Sequence, residues 1–352
     1  MSANGWQRRI VEEVRERLAT AGIAGAAVAV LVDGEMTLAE GIGFRDQAWT
    51  QPLERDAQFY IYSITKTLIA AIALRLAERG LVDLDAPARD YLPSLPIERT
   101  ITARQLLDHT SGLPDYGTLP EYFAAVRERP SEPWTADEFL TRTLPQGMGF
   151  EPGEGWQYSN IGYLFVNLLI EQVSGLSLRA AVAEHIAEPL GLRRTFVAET
   201  LADAATLTPG WSTLLGSVGW PIDAAPVYHP GWVSHGVVIS TAGETARMLD
   251  ALATGQLLRR RSLTAMLKPV LLPFSHPQFR KPAYGLGVMI DTGSPHGLVF
   301  GHGGGGPGYA LGALHFRNVA GRRVTSVAFT NRDGADITFE LVYALAEAAA
   351  ST

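Results

Sequence analysis

The chain has 352 residues, 47% of them hydrophobic, enough to bury a sizeable core in one large domain or two intergrown ones. A formal net charge of −7 with 18% charged residues excludes the basic footprint of a nucleic-acid binder, so no nucleic-acid partner is expected. With no cysteine at all, disulfides, thiolate metal sites and a cysteine nucleophile are excluded.

The polar start from Met1 to Arg8 leads into an amphipathic helix pattern, Ile10, Val11, Val14 and Leu18, that ends near Thr20. No apolar signal core follows, and no run of about 20 apolar residues occurs, so no membrane span is expected. If Met1 is the native start, the expected location is the cytoplasm; otherwise the chain is an exported protein whose signal has been removed. Two apolar, β-rich stretches, 25–32 and 36–44, flank Asp33-Gly34, a strong hairpin signal.

From Ser63 to about Leu249 the pattern is helical, broken by Pro and Gly. Thr102 with Gln105, Thr135 with Glu138, and Thr241 with Glu244 read as capping boxes. Long apolar helix patterns cover 66–76, ending near Gly80, and 161–173, ending at Gly175. The β texture returns at 284–290, 297–300, 309–316 and 324–329, and a closing helix runs from about Asp336 to Ala350. Strands at both ends around a helical middle predict an α+β fold. One antiparallel sheet is built from both termini and flanked by helices, and a mostly helical second lobe completes it. The expected division is 1–62 with 250–352 for the sheet domain and 63–249 for the helical one, with the binding groove between them.

Three constellations carry chemistry. In the first, Ser63 and Lys66 open a helix three residues apart, on one face, so hydroxyl and amine can meet. A serine is a weak nucleophile until a base takes its proton, and a lysine becomes such a base once burial lowers its pKa. A capping serine with a surface lysine has the same spacing, and chance alone yields about 0.15 such pairs in this composition. Lysine, however, supplies only 3 of the 29 cations, and this one lies on a helix otherwise rich in Leu, Ile and Ala.

The second constellation is Tyr158-Ser159-Asn160, after a Gly-rich turn. Asn160 is placed to cap the next helix, or to bind Lys66 or a substrate carbonyl, and the Tyr158 phenol to stand beside Ser63 as a proton relay. The third is His302-Gly303-Gly304-Gly305-Gly306 between strand patterns. It reads either as a flexible hairpin loop or as backbone that something must approach closely.

Ser63-x-x-Lys66, Tyr158-x-Asn160 and His302-x-Gly304, in this order and spacing, resemble the serine β-lactamase and penicillin-binding-protein superfamily, nearest its class C-like branch. Leu106 to Leu113 looks like a structural loop of that branch, and Ser240-Thr241-Ala242 like another of its landmarks. The resemblance implies a β-lactamase-like fold and a serine hydrolase working through an acyl-enzyme on a small-molecule ester, amide or lactam. Ser63 would be acylated, and Lys66 and Tyr158 would share base and acid duties. The backbone N–H groups of Ser63 and Gly305 would form the oxyanion hole, and Asn160, His302 and Gly304 would bind substrate. The sequence departs from the pattern at Gly303, where the branch usually carries a hydroxyl that helps bind a carboxylate. This favours esters or other amides over β-lactams.

His235 stands where the branch more often has a small residue, and would either line the pocket or simply pack; His109 reads as structural. A D-Ala-D-Ala carboxypeptidase, a D-aminopeptidase and a class C-like β-lactamase remain alternatives, as does a non-catalytic penicillin-binding-like sensor or scaffold. An α/β-hydrolase reading of the His-Gly-Gly-Gly run fails for want of a G-x-S-x-G elbow, and a phosphate loop for want of Gly-Lys-Ser/Thr. The eight histidines are scattered, so no metal and no other cofactor is expected, and oligomeric state is not legible.

Overall fold

In the sheet that organises the molecule, β-branched and alanine-rich runs lie between two layers of helix. The structure, a computed structural model, describes residues 3–97, 100–334 and 337–350. The strands of the large sheet are β1 (Gly25–Val32), β2 (Glu35–Gly43), β3 (Val270–Leu271), β4 (Pro282–Tyr284), β5 (Met289–Asp291), β6 (Val299–Gly306), β7 (Tyr309–Val319) and β8 (Arg322–Thr330). They are antiparallel and ordered β2-β1-β8-β7-β6-β5-β4-β3, so chain start and chain end meet at the β1–β8 pairing, where Ala29 faces Val327.

Strand β1 is buried along its whole length because both faces are covered. Ala26, Val28 and Val30 pack against Ile10, Val14 and Leu18 of the helix Ala3–Ala21 and Leu341, Val342 and Leu345 of the helix Thr338–Ala350. Ala27, Ala29 and Leu31 face the other core, where the helix Ala242–Ala253 rests on the sheet. The alternation of period 2 thus assigns each residue to one layer, and alanines let that helix approach closely. The expected domain limit at residue 250 falls inside this helix. Asp336, where the closing helix was expected to begin, lies outside the described residues.

The helical lobe is built around Thr65–Glu78 and Asn160–Ser174, the latter ended by Gly175 in the left-handed conformation. The capping boxes of Thr102 and Thr135 are present. Thr241 caps its helix but is not reciprocated: the Glu244 carboxylate turns to the backbone N–H groups of Arg193 and Arg194 and to the Thr195 hydroxyl.

Two expectations are corrected and one choice between readings is decided. The stretch 284–290 is not one strand but a hairpin between β4 and β5, turned at Gly287 (φ +71) and closed by a Gly285 N–H to Val288 carbonyl bond. Of the two readings of the glycine run 303–306 the hairpin loop falls: the run continues β6, paired residue by residue with β7, and the turn lies at Pro307-Gly308. The middle of the chain is not wholly helical, because Phe59–Tyr60, Val237–Ser240 and Phe196–Ala198 form a small three-stranded sheet. Two- to four-residue strands are too short to show a period, which is why the pattern missed them.

Candidate active site

The small sheet delivers Ser63. Phe59–Tyr60 pairs with Val237–Ser240, and the Ile61 N–H extends the ladder to the Val238 carbonyl at 2.8 Å. The chain then turns sharply through a single 3₁₀ turn, Tyr62–Ile64, before the helix Thr65–Glu78 begins. Tyr62 sits at φ +41, a left-handed backbone uncommon for a bulky residue. It is held there by its own hydroxyl, which donates to the Pro307 carbonyl at 2.7 Å.

Strand β6 lies directly against this turn, which explains the glycines. A Cβ on Gly304 would stand 2.5 Å from the Ile61 carbonyl oxygen, and one on Gly306 2.5 Å from the Tyr62 ring. A Cβ on Gly303 would stand 2.9 Å from the Phe339 ring, so the hydroxyl expected at this position has no room. Gly305 alone of the four has open space where a Cβ would be.

Tyr158 OH donates to Ser63 Oγ at 2.9 Å, and Lys66 Nζ lies 3.2 Å from the same oxygen. Tyr158 arrives from the segment before the helix Asn160–Ser174. The N-cap of that helix is Ser159 rather than Asn160: its Oγ accepts from the Gly162 N–H and donates to the Pro114 carbonyl. The Asn160 side chain is thereby free for another task. Its Oδ1 accepts from Lys66 Nζ at 2.7 Å, and its Nδ2 donates to Asp115 Oδ2 at 3.2 Å. Asp115 also accepts from the Asn160 backbone N–H at 2.9 Å.

Electrostatics follow from burial. Lys66 is wholly buried, which drives its amine well below the ordinary lysine range, with the Asp115 carboxylate acting in the opposite sense. Burial pushes the Tyr158 phenol above its ordinary value, only partly offset by its bond to Ser63, so it is a neutral proton donor. Burial thus disfavours both the ammonium and the phenolate around one hydroxyl.

Tyr158 is steadied from behind by His109, whose ring lies 4.3 Å from it and 4.7 Å from Tyr284. The structural role expected of His109 extends to the backbone: its Nδ1 accepts from the Ser159 N–H at 3.1 Å.

Ser63, Tyr158, His302 and the glycine backbone from 303 to 306 open on a cavity of about 850 Å³, with Leu214 and Met289 among its walls. His302 is among the lining residues, but both its ring nitrogens are engaged inside the protein. Nδ1 donates to the Gly303 carbonyl, which leaves Nε2 to accept from Tyr284 OH at 2.8 Å. Burial brings His302 down to about 3, so it is neutral. His235 does not line the cavity; it is buried with Nε2 3.1 Å from Lys66 Nζ. Asn160 likewise stands behind the amine rather than on the cavity wall.

The sequence reading missed Asp115 and Tyr284. Asp115 lies just after the Leu106–Leu113 loop, and a carboxylate between Pro114 and Tyr116 looks like any turn residue until Asn160 is folded against it. Among the described residues no cluster of His, Asp or Glu could hold a metal ion, and no single helix is long and apolar enough to cross a membrane.

The chain is similar to known proteins over much of its length. Penicillin-binding protein 4* of Bacillus subtilis (strain 168) is 25% identical over 311 residues, 85% of this chain and 66% of that protein. Esterase EstB of Burkholderia gladioli is 33% identical over 184 residues, 49% of this chain and 46% of the esterase. The chain thus spans from about half to two thirds of the length of these curated relatives. The crystal structure of a D-stereospecific amidohydrolase from Streptomyces sp. matches with a TM-score of 0.78 and 28% identity, covering 96% of this chain and 98% of that one. The family model described as Beta-lactamase matches residues 10–350, and the chain belongs to that family.

Proposed function

We propose that the protein is a serine hydrolase that cleaves small esters or amides through an acyl-enzyme on Ser63. The observation that carries this reading is the Ser63 hydroxyl held between the Lys66 amine at 3.2 Å and the Tyr158 phenol at 2.9 Å at the floor of an open cavity. Lys66, neutral through burial, takes the serine proton as Oγ attacks the substrate carbonyl. The oxyanion forms in the angle between the turn Tyr62–Ile64 and strand β6, where the Ser63 and Gly305 N–H groups are its donors; one such donor is worth about 2.7–4 kcal/mol of barrier. Tyr158, kept protonated, gives its proton to the departing alkoxide or amine and regains one from the Lys66 ammonium. Water then repeats the sequence on the acyl-enzyme, and Ser63 recovers its proton.

The hydroxyl missing at Gly303 supports short-chain esters over β-lactams. The likeness to a D-stereospecific amidohydrolase over nearly the whole of both chains favours a second substrate class, amides of D-amino acids. The test is mass spectrometry after treatment with a fluorophosphonate, together with turnover of p-nitrophenyl butyrate, D-phenylalanine amide and nitrocefin. A stoichiometric adduct on Ser63 and ester or amide turnover that is lost in Ser63→Ala is the expected result. No adduct and no turnover would leave a non-catalytic scaffold, and nitrocefin turned over much faster than the others would overturn the preference for esters and amides.

A further inference from the structure

His235 is used by none of the steps above, yet it touches the group on which they turn. Among the described residues Lys66 Nζ has three polar neighbours: Ser63 Oγ at 3.2 Å, Asn160 Oδ1 at 2.7 Å and His235 Nε2 at 3.1 Å. His235 is 1% exposed and forms no part of the cavity wall, so it does not meet substrate.

The direction of one contact is fixed. Asn160 Nδ2 donates to Asp115, so the atom facing the amine is Oδ1 and Lys66 must be the donor. A neutral amine has two N–H bonds and one lone pair. If the lone pair is to receive the Ser63 proton, the second N–H must go to His235 Nε2, and that nitrogen must be bare. The imidazole proton then sits on Nδ1, a buried atom with no hydrogen-bond partner among the described residues. The opposite tautomer would aim an Nε2 proton at the lone pair and cap the base. Once Lys66 has taken the serine proton, its three N–H bonds find three acceptors, again only when Nε2 is bare.

We infer that His235, as its Nδ1–H tautomer, is a positioning residue for Lys66: it accepts the third hydrogen bond of the amine, turns the lone pair toward Ser63 and steadies the ammonium formed when the serine proton moves. The inference rests on the reading of Ser63 as nucleophile and Lys66 as its base. Burial beside Lys66, with His109 and His302 nearby and the Tyr163 ring 6.0 Å away, keeps His235 itself uncharged. Lys66 is also faced by the Tyr158 and Tyr163 rings, 4.9 and 5.4 Å from Nζ, and through Asn160 by the Asp115 carboxylate.

An acceptor on the amine favours the ammonium and so raises the Lys66 pKa relative to an amine without it. Removing the acceptor lowers that pKa and moves the acid limb of the rate profile to lower pH, while the freed lone pair loses its aim. His235→Phe fills the space without an acceptor; His235→Gln supplies an amide oxygen near the place of Nε2. On p-nitrophenyl butyrate the Phe variant is expected to lose about 10- to 100-fold in kcat, as for a lost hydrogen bond from a charged donor. Its KM should stay within about twofold of wild type, and its acid limb should shift down by about one pH unit, with Gln restoring most of both. Because the Phe variant could fail to fold, ¹⁵N NMR of histidine-labelled wild-type protein provides an independent arm: a protonated Nδ1 and bare Nε2 on His235 are expected. The Nε2–H tautomer, or a folded Phe variant with wild-type kcat and acid limb, would overturn the inference. Fluorophosphonate labelling of the same wild-type preparation separates the two levels. An adduct on Ser63 together with an indifferent His235→Phe sinks this inference alone, whereas no adduct removes it along with the reading beneath it.

Discussion

Asp115 offers the sharpest test of the electrostatics. The replacement Asp115→Asn keeps the volume and an acceptor for the Asn160 N–H but removes the buried charge. The carboxylate reaches Lys66 through one amide, Asp115 Oδ2 to Asn160 Nδ2 at 3.2 Å and Asn160 Oδ1 to Lys66 Nζ at 2.7 Å. That chain of contacts sets the charges about 7 Å apart, and with an effective dielectric of about 20 their attraction is about 2.4 kcal/mol, or about 1.7 pH units. The sign follows from the roles: Lys66 acts as base when neutral, and the carboxylate favours the ammonium. Its loss therefore lowers the Lys66 pKa further and moves the acid limb of kcat/KM to lower pH. The assay is a pH profile of p-nitrophenyl butyrate hydrolysis for wild type and variant, with circular dichroism to verify folding. An acid limb that stays in place, or moves upward, would refute the assignment of that limb to Lys66.

Other outcomes follow from the same geometry. Lys66→Arg keeps a cation but not a base, so turnover should fall by about 10³-fold or more while Ser63 remains in place; near-normal turnover would contradict the role given to the amine. Gly304→Ala drives a Cβ into the Ile61 carbonyl and should cost about 1–3 kcal/mol in urea unfolding as well as activity, whereas Gly305→Ala, with open space, should leave Tm unchanged. Equal Tm losses at the two positions would show that the close approach of β6 to the nucleophile turn is misjudged. Ser159→Ala removes the N-cap of Asn160–Ser174 and should lower stability by about 1 kcal/mol, measured by denaturant unfolding. Since burial brings His302 down to about 3, His302→Gln should leave the acid limb of the wild-type profile where it is; a displaced limb would show that His302 titrates in the working range.

Much of this was legible in the chain because it is local. The SxxK spacing lets hydroxyl and amine meet, the Asp33-Gly34 signal makes a hairpin, and the apolar run 25–32 makes a strand. What stayed open is what depends on distant partners. The glycine run read either as a loop or as backbone that something approaches closely; the approach holds, and what comes close is the turn at Ile61 and Tyr62, which the chain pattern did not name. Asn160 read either as a cap or as a partner of Lys66; Ser159 beside it does the capping, which leaves the amide to bridge Lys66 and Asp115, and the carboxylate was the part the pattern did not show.

The order of motifs along the chain therefore determined the family resemblance and the identity of the hydroxyl, the amine and the phenol. Only the tertiary structure decided their chemical state. Whether an amine is a base depends on how much water it has lost and which carbonyl, imidazole or carboxylate replaces that water, and those partners come from residues 49 to 169 positions away.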